Sequence, residues 1–355
     1  QVTYVGPDTQ LKASATLTGA GGQVIVWSDD STRAYGTIEA KGGPNGGDGG
    51  FIETSGKRFL DVAGIKVSAG GTAGAAGVWL LDPADITITH YGGAGSTVGQ
   101  PFAPGGATGT ITDADINATL GAGTDVTITT AAGTGGSGNI TVYGSADPGG
   151  AVLITNVSAV PRSLTFDAQG NFNAHYGSVI SGASGAPLDV TVGANGDIVL
   201  AGGIKTFGGN IVAQAFGNLT IGDGVNTYGG TYGLNARADG AFGGTQTYDT
   251  GGYGGRVFLV ADALGNGTGV FRMQPGAFIG TSNITHLIDA AGNLPASFVN
   301  NGHGGFAITI GANDVVIDPT ATIKLNYNTA GDVIQYGGGG DIGFWPTLAG
   351  TIGLG

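Results

Sequence analysis

Gly203-Ile204-Lys205-Thr206-Phe207-Gly208-Gly209 returns as Gly224-Val225-Asn226-Thr227-Tyr228-Gly229-Gly230. The same offset aligns Asp197-Ile198-Val199-Leu200 with Asn218-Leu219-Thr220-Ile221. Nearer the start the spacing is longer: Gly22-Gln23-Val24-Ile25-Val26 reappears as Gly50-Phe51-Ile52-Glu53-Thr54. A unit of roughly 20–28 residues with two or three short strands and glycine turns is one coil of a β-solenoid. Each coil leaves its apolar row incomplete, and the coils above and below cover it. Equivalent strands then stack in parallel about 4.8 Å apart, so the chain is expected to make on the order of 14 coils in a rod of roughly 65 Å.

Strand patterning extends well beyond these repeats. Asp85-Ile86-Thr87-Ile88, Asp125-Val126-Thr127-Ile128, Asn139-Ile140-Thr141-Val142 and Asp189-Val190-Thr191-Val192 all alternate apolar with small polar residues, the period of a half-buried strand. Glycine, Asn or Asp bounds each run, as turns require. Helical periodicity is nearly missing. Asp113 to Leu120, with Ile116 and Leu120 apolar, allows two helical turns capped by Thr112 or Asp113. A sandwich or propeller would favour antiparallel hairpins with Asn-Gly turns; here the turns are long, and their text returns one period later. The expected fold is all-β, a right-handed parallel β-helix with short strands and glycine-rich turns. It divides into a solenoid over 1–225, a glycine- and tyrosine-rich loop insertion over 226–256, and a solenoid continuation with an extended C-terminal segment over 257–355.

Composition narrows the function classes. The 355 residues include 75 glycines, yet 41% are apolar and only 10% are charged, so a core can form and neither collagen nor disorder fits. The net charge of −13 lacks the basic footprint of a nucleic-acid binder. There are no cysteines, which removes disulfides and thiolate chemistry. No stretch of eighteen apolar residues is present to span a membrane as a helix. The start, Gln1-Val2-Thr3-Tyr4, already reads like a strand, so a mature product or a fragment is expected.

Residues 21–88 resemble the repeat region of filamentous-haemagglutinin-like exoproteins of bacterial two-partner secretion systems. The matching elements, in order, are Val26-Trp27-Ser28-Asp29, Gly36-Thr37-Ile38-Glu39-Ala40, Gly46-Gly47-Asp48-Gly49-Gly50-Phe51-Ile52-Glu53, Ser55-Gly56-Lys57 and Leu80-Leu81-Asp82-Pro83. The stretch from Asp115 to Val142 also looks like the next segment of that family; beyond about residue 150 the likeness is general. The resemblance implies a secreted β-helical protein on the surface of a Gram-negative-type bacterium, exported through an outer-membrane partner pore. It also implies a role as an adhesin, a biofilm or matrix component, or a stalk. The family's N-terminal secretion domain is not in this sequence, and neither is an Arg-Gly-Asp triplet.

Trp27 and Trp79 are expected to fill a coil corner or cap, with ligand stacking as the alternative. Asp48 is expected to close an Asx-type turn; calcium is the alternative, but the tandem Gly-Gly-x-Gly-x-Asp array is missing. Asp82 before Pro83, following Leu81, should end a strand. A polysaccharide-cleaving β-helix would need converging acids. Asp29 and Asp30 are adjacent and would face opposite sides of a strand, and nothing in the sequence gathers Asp249, Arg256 and Asp262. His90, His175, His286 and His303 have no metal-ligand spacing. No enzyme, metal or cofactor is therefore expected. Asn-x-Ser/Thr sequons at Asn117, Asn139, Asn156, Asn218, Asn266 and Asn283 leave glycosylation open. Tyr228, Tyr232, Phe242, Tyr248 and Tyr253 either cover the solenoid's flank or form a contact surface for carbohydrate or protein. The apolar Phe344-Trp345-Pro346 is the expected assembly end, where strand addition to another copy would give a head-to-tail filament.

Overall fold

The computed structural model describes residues 1–91, 106–183, 185–222, 233–235, 255–281, 308–325 and 342–346. Its strands stack into long parallel sheets, the architecture of a β-solenoid. Sheet I has ten strands, from Gln23–Ser28 to Ile342–Pro346, and sheet II has eleven, from Val2–Val5 to Asp314–Ile317. A third face starts with Gln10–Lys12, Thr37–Glu39 and Lys66–Ser68, and resumes with six strands from Leu153–Thr155 to Thr322–Leu325. Between these two parts lies helix α1, Asp113–Gly121, packed against Lys66–Ser68 on one side and Leu153–Thr155 on the other. Thr112 caps it by accepting the Asp115 N–H at 3.2 Å. The helix fills a level of the third face that no strand occupies.

Alternation builds the core. In Arg162–Ala168, the side chains of Leu164, Phe166 and Ala168 are fully buried. They stack on Val190, Val192 and Ala194 of the next coil in strict register. Phe166 and Phe172 meet at 5.0 Å between ring centroids, joining sheets I and II. Each of the larger ones, Leu164, Phe166, Val190 and Val192, contributes about 1.5–3 kcal/mol by leaving water. Among the described residues, the buried apolar side chains form one cluster from Val5 to Val315.

The longer repeat near the start is the true register: Val24 pairs with Ile52 and Val26 with Thr54. So is the alignment of Ile198 with Leu219. The segment 203–209 behaves differently. Ile204 pairs with Leu234 and not with Val225; 224–230 lie outside the described residues. The next coil is long, since Ile211 pairs with Val257. Gly203, Gly208 and Gly209 supply much of that repeated text in a glycine-rich chain, so the match carried little register information. Coil length also corrects the coil count. Coils range from short, as from Val190 to Ile211, to more than twice as long, as from Val257 to Ile308. Among the described residues the ten strands of sheet I span roughly 45 Å at about 4.8 Å each, against the roughly 65 Å expected.

Sheet II contains an inversion that the sequence did not signal. Thr108–Thr112 lies between Phe59–Asp61 and Asp85–Thr89, although it comes after both in sequence. The segment 226–256 is also not one loop, because Gly233–Asn235 is a strand of the third face; 226–232 and 236–254 lie outside the described residues.

One glycine pair is fixed by close approach. Gly50 and Gly77 stack at the entry to sheet I, where the Val78 N–H donates to the Gly50 carbonyl at 3.0 Å. A Cβ on Gly77 would lie 2.2 Å from that oxygen. Gly77→Ala should therefore force the two coils apart and lower the thermal midpoint by several degrees, as calorimetry would record.

Candidate functional site

The chemically distinctive groups lie at the coil corners, where each strand begins or ends. Two in-register ladders of Asn and Asp side chains run along the stack. In the first, before sheet II, Asp85 accepts the Asn139 N–H at 2.7 Å and Asn139 accepts that of Asn171 at 2.8 Å. Asn171 then accepts the Asp197 N–H at 2.8 Å, Asp197 that of Asn218 at 2.7 Å, and Asn218 that of Val270 at 3.0 Å. The second, before sheet I, links Asp125 to Ser163 at 2.9 Å, Asp189 to Asn210 at 2.7 Å and Asn210 to Arg256 at 3.0 Å. Each side chain satisfies a backbone donor one coil on, at a position where the ladder of the sheet has not yet begun. Carboxylates are interspersed with neutral residues, which limits stacking of like charges at about 4.8 Å. Asp197→Ala should cost about 1–2 kcal/mol, the penalty of orphaned donors. Asp197→Asn keeps the acceptor and should be nearly neutral, as urea unfolding would show.

Asp29 and Asp30 occupy the turn between Gln23–Ser28 and Ser31–Ala34, so they do not face opposite sides of a strand. Both reach the next coil: Asp29 pairs with Lys57 at 3.2 Å and Asp30 with Arg58 at 2.6 Å. The Arg58 guanidinium holds the Asp30 carboxyl below its usual range. Trp27 corrects the expectation of a corner filler. It points outward, 39% exposed, with the Lys57 ammonium 5.3 Å from its ring centre. Parity decides this, because Val24, Val26 and Ser28 take the inward positions of the strand. Trp79 is the buried one, at mid-strand and not at a corner, with its indole N–H on Thr54 Oγ1 at 3.0 Å.

Asp48 also acts between coils, accepting the Ala75 N–H at 2.8 Å, and the positive φ of its turn is taken by Gly46 and Gly47. Leu81 is fully buried, and Asp82 ends Gly77–Asp82 as expected. Asp82 is nearly buried, and both its oxygens face one donor, the Ala132 N–H, at 3.1 Å. Burial, then the nearby Glu53 and Asp167 charges, pushes its pKa up.

Two histidines form carboxylate pairs at the corner after sheet II. His90 Nδ1 lies 2.7 Å from Asp113, which also accepts the Leu153 N–H. His175 Nδ1 lies 2.7 Å from Asp147, which accepts the Gly144 N–H. The rows of Asp85–Thr89, Ile140–Val142 and Phe172–Ala174 place the two pairs two strands apart. Among the described residues no group of three or more His, Asp or Glu is placed to hold a metal ion. Asp262 is buried on its own loop, accepting the Asn266 and Gly267 N–H groups. Asp249, His286 and His303 lie outside the described residues.

No protein-family model matches the chain, and no curated protein matches it.

Phe344, Trp345 and Pro346 form the last described strand of sheet I, pairing along Ile308–Ala312. Tyr228, Tyr232, Phe242, Tyr248 and Tyr253 lie outside the described residues, as does Asn283. Among the sequons, Asn117 and Asn139 spend their side chains on backbone groups, and Asn156 is fully buried. Asn218 belongs to the first ladder, and Asn266 bonds Thr268.

Buried carboxyls give the chain a pH signature. Burial raises the pKa of Asp82, Asp115 and Asp125. The folded state therefore binds protons more tightly than the unfolded chain at these sites. The contribution of these three sites to stability falls as pH rises from the ordinary Asp value, about 3.9, through the raised folded values. Asp115→Asn is neutral throughout and should flatten that slope; Tm measured from pH 4 to 8 checks it.

Proposed function

We propose that the chain is a section of a right-handed β-solenoid rod from a secreted, surface-displayed exoprotein of the filamentous-haemagglutinin-like type, with an adhesive or scaffolding role and no catalytic one. The observation that carries this reading is the use of polar groups. Ladders, ion pairs and buried carboxyls bind one coil to the next, which is work for holding a stack together. The motif elements of residues 21–88 support the same reading. The right-handed sense rests on the strong preference of parallel crossovers for that hand.

Partners follow from this role. They are an outer-membrane pore during export, a host or matrix glycan or protein at the surface, and further copies of the chain. Ile342–Pro346 and Gln23–Ser28 are the two outer strands of sheet I among the described residues. Strand addition between them would extend the stack head to tail.

The test uses the bacterium that produces the chain. Antibodies to the purified protein should label intact cells, and deleting the gene should lower attachment to host cells or biofilm mass. Label confined to broken cells, with attachment unchanged, would refute the proposal. Release of reducing ends from polysaccharide by the purified protein would favour a polysaccharide-cleaving β-helix, and a further domain encoded in the gene would favour a stalk.

A further inference from the structure

The sequence contains three Asp-Pro peptide bonds, at 82–83, 147–148 and 318–319. This is the peptide link most easily broken in acid. The side-chain carboxyl closes a five-membered ring on its own backbone carbonyl, and the tertiary proline nitrogen is a good leaving group. Intramolecular placement of the attacking group supplies much of the rate.

The fold treats the three bonds differently. Asp147 is held by the Gly144 N–H and by His175. Asp318 accepts the N–H and hydroxyl of Thr320, which lower its pKa. Asp82 is 8% exposed and has one backbone donor for both oxygens. No cation pairs with it among the described residues. Its register neighbour Ser55 is 1% exposed, and the Ser55 hydroxyl has no hydrogen-bond partner. The charged groups acting on Asp82 are the carboxylates Glu53 and Asp167, with Asp85 close by in sequence. A buried carboxyl so poorly compensated costs stability and calls for another explanation.

We propose that Asp82-Pro83 is a built-in scission site, at which the chain cuts itself in mild acid through the Asp82 carboxyl. The neutral acid attacks the backbone carbonyl carbon of Asp82, forming a C–O bond. The C–N bond to Pro83 breaks, and the carboxyl proton moves to the proline nitrogen, which leaves as a secondary amine. One water then opens the cyclic anhydride, giving a C-terminal Asp82 and an N-terminal Pro83. The raised pKa of Asp82 keeps the reactive neutral form present to higher pH than in an ordinary aspartate. Access is coupled to the same proton. The segment over this corner is anchored by the Ala132 N–H on Asp82, the Ser137 N–H on Asp85 and the Thr134 N–H on the Lys57 carbonyl. A neutral Asp82 holds Ala132 less strongly, and water enters. The cut falls between sheets I and II, so stacking holds residues 1–82 and 83–355 together until the coils part.

The test incubates the folded protein with protease inhibitors at pH 4.5 and pH 7.5, then separates it under denaturing conditions for intact mass and N-terminal sequencing. At pH 4.5 the expected result is a new Pro83 terminus, at least tenfold more abundant than termini at Pro148 or Pro319. Asp82→Glu, which keeps the charge but forms a larger ring, and Asp82→Asn should both abolish it. Unfolding in urea should remove the preference. Equal cutting at the three bonds in the folded protein, no cut at Pro83, or the same preference in urea would each overturn the proposal.

Discussion

Trp79→Ala should destabilise the protein by about 3–5 kcal/mol, the range for deleting a large buried aromatic. The indole is fully buried, and its N–H is the partner of the buried Thr54 hydroxyl. Truncation thus opens a cavity and strands a polar group together. Its register partners are Ile52 on one side and Val126 on the other, so a gap there interrupts the inner row of sheet I. Trp27→Ala is the internal control: that ring is outward, and its loss should cost less than about 1 kcal/mol, including the contact with Lys57. Urea unfolding of both variants separates them. Similar losses would mean that the two tryptophans have been assigned to the wrong faces.

Asn156→Ala should cost about 3 kcal/mol, because it removes a buried amide at the centre of five hydrogen bonds. The side chain is fully buried. The two N–H groups of its amide are shared among the carbonyls of Val160 at 3.0 Å, Ala186 at 3.1 Å and Pro187 at 2.9 Å, and its oxygen accepts the N–H and hydroxyl of Ser158. One residue therefore ties the third face to the segment leading into the next strand of sheet I. Asn156→Asp should be worse than alanine, because a carboxylate has no donor and would face three carbonyl oxygens. A ranking with aspartate milder than alanine would show that the donor role is misassigned. The same burial removes this sequon from consideration as a glycan site.

The fold is legible because the solenoid writes its period into the sequence. Strands such as Asp189-Val190-Thr191-Val192 alternate cleanly, and the spacing from Val24 to Ile52 is the actual register. Inferences from glycine-rich text fail. The match of 203–209 to 224–230 reflects composition, while the pairing of Ile204 with Leu234 depends on a coil lengthened elsewhere. The inverted order of Thr108–Thr112 and Asp85–Thr89 has no local signal, since both strands have the same alternation. Corner chemistry is half legible. The alternating runs begin with Asp or Asn, which sequence reasoning assigns to turns; the side chains instead satisfy the backbone of another coil. The distinction needs the stack, because the donor to Asp85 is Asn139 and the donor to Asp197 is Asn218, both far along the chain. Trp27 escapes sequence reasoning because size suggests a corner filler, while strand parity places it outside.

Engineered cysteines test the stacking itself. Thr165 and Thr191 are outward-facing register partners in successive coils, and in-register parallel neighbours sit about 4.8 Å apart, within reach of a disulfide. The natural chain has no cysteine to compete. Mild oxidation of a Thr165→Cys/Thr191→Cys double variant should link the two positions nearly completely, and a Thr165→Cys/Thr309→Cys variant, four strands apart in sheet I, should stay reduced. Efficient linkage of the distant pair, or none of the near one, would contradict a stack of parallel coils.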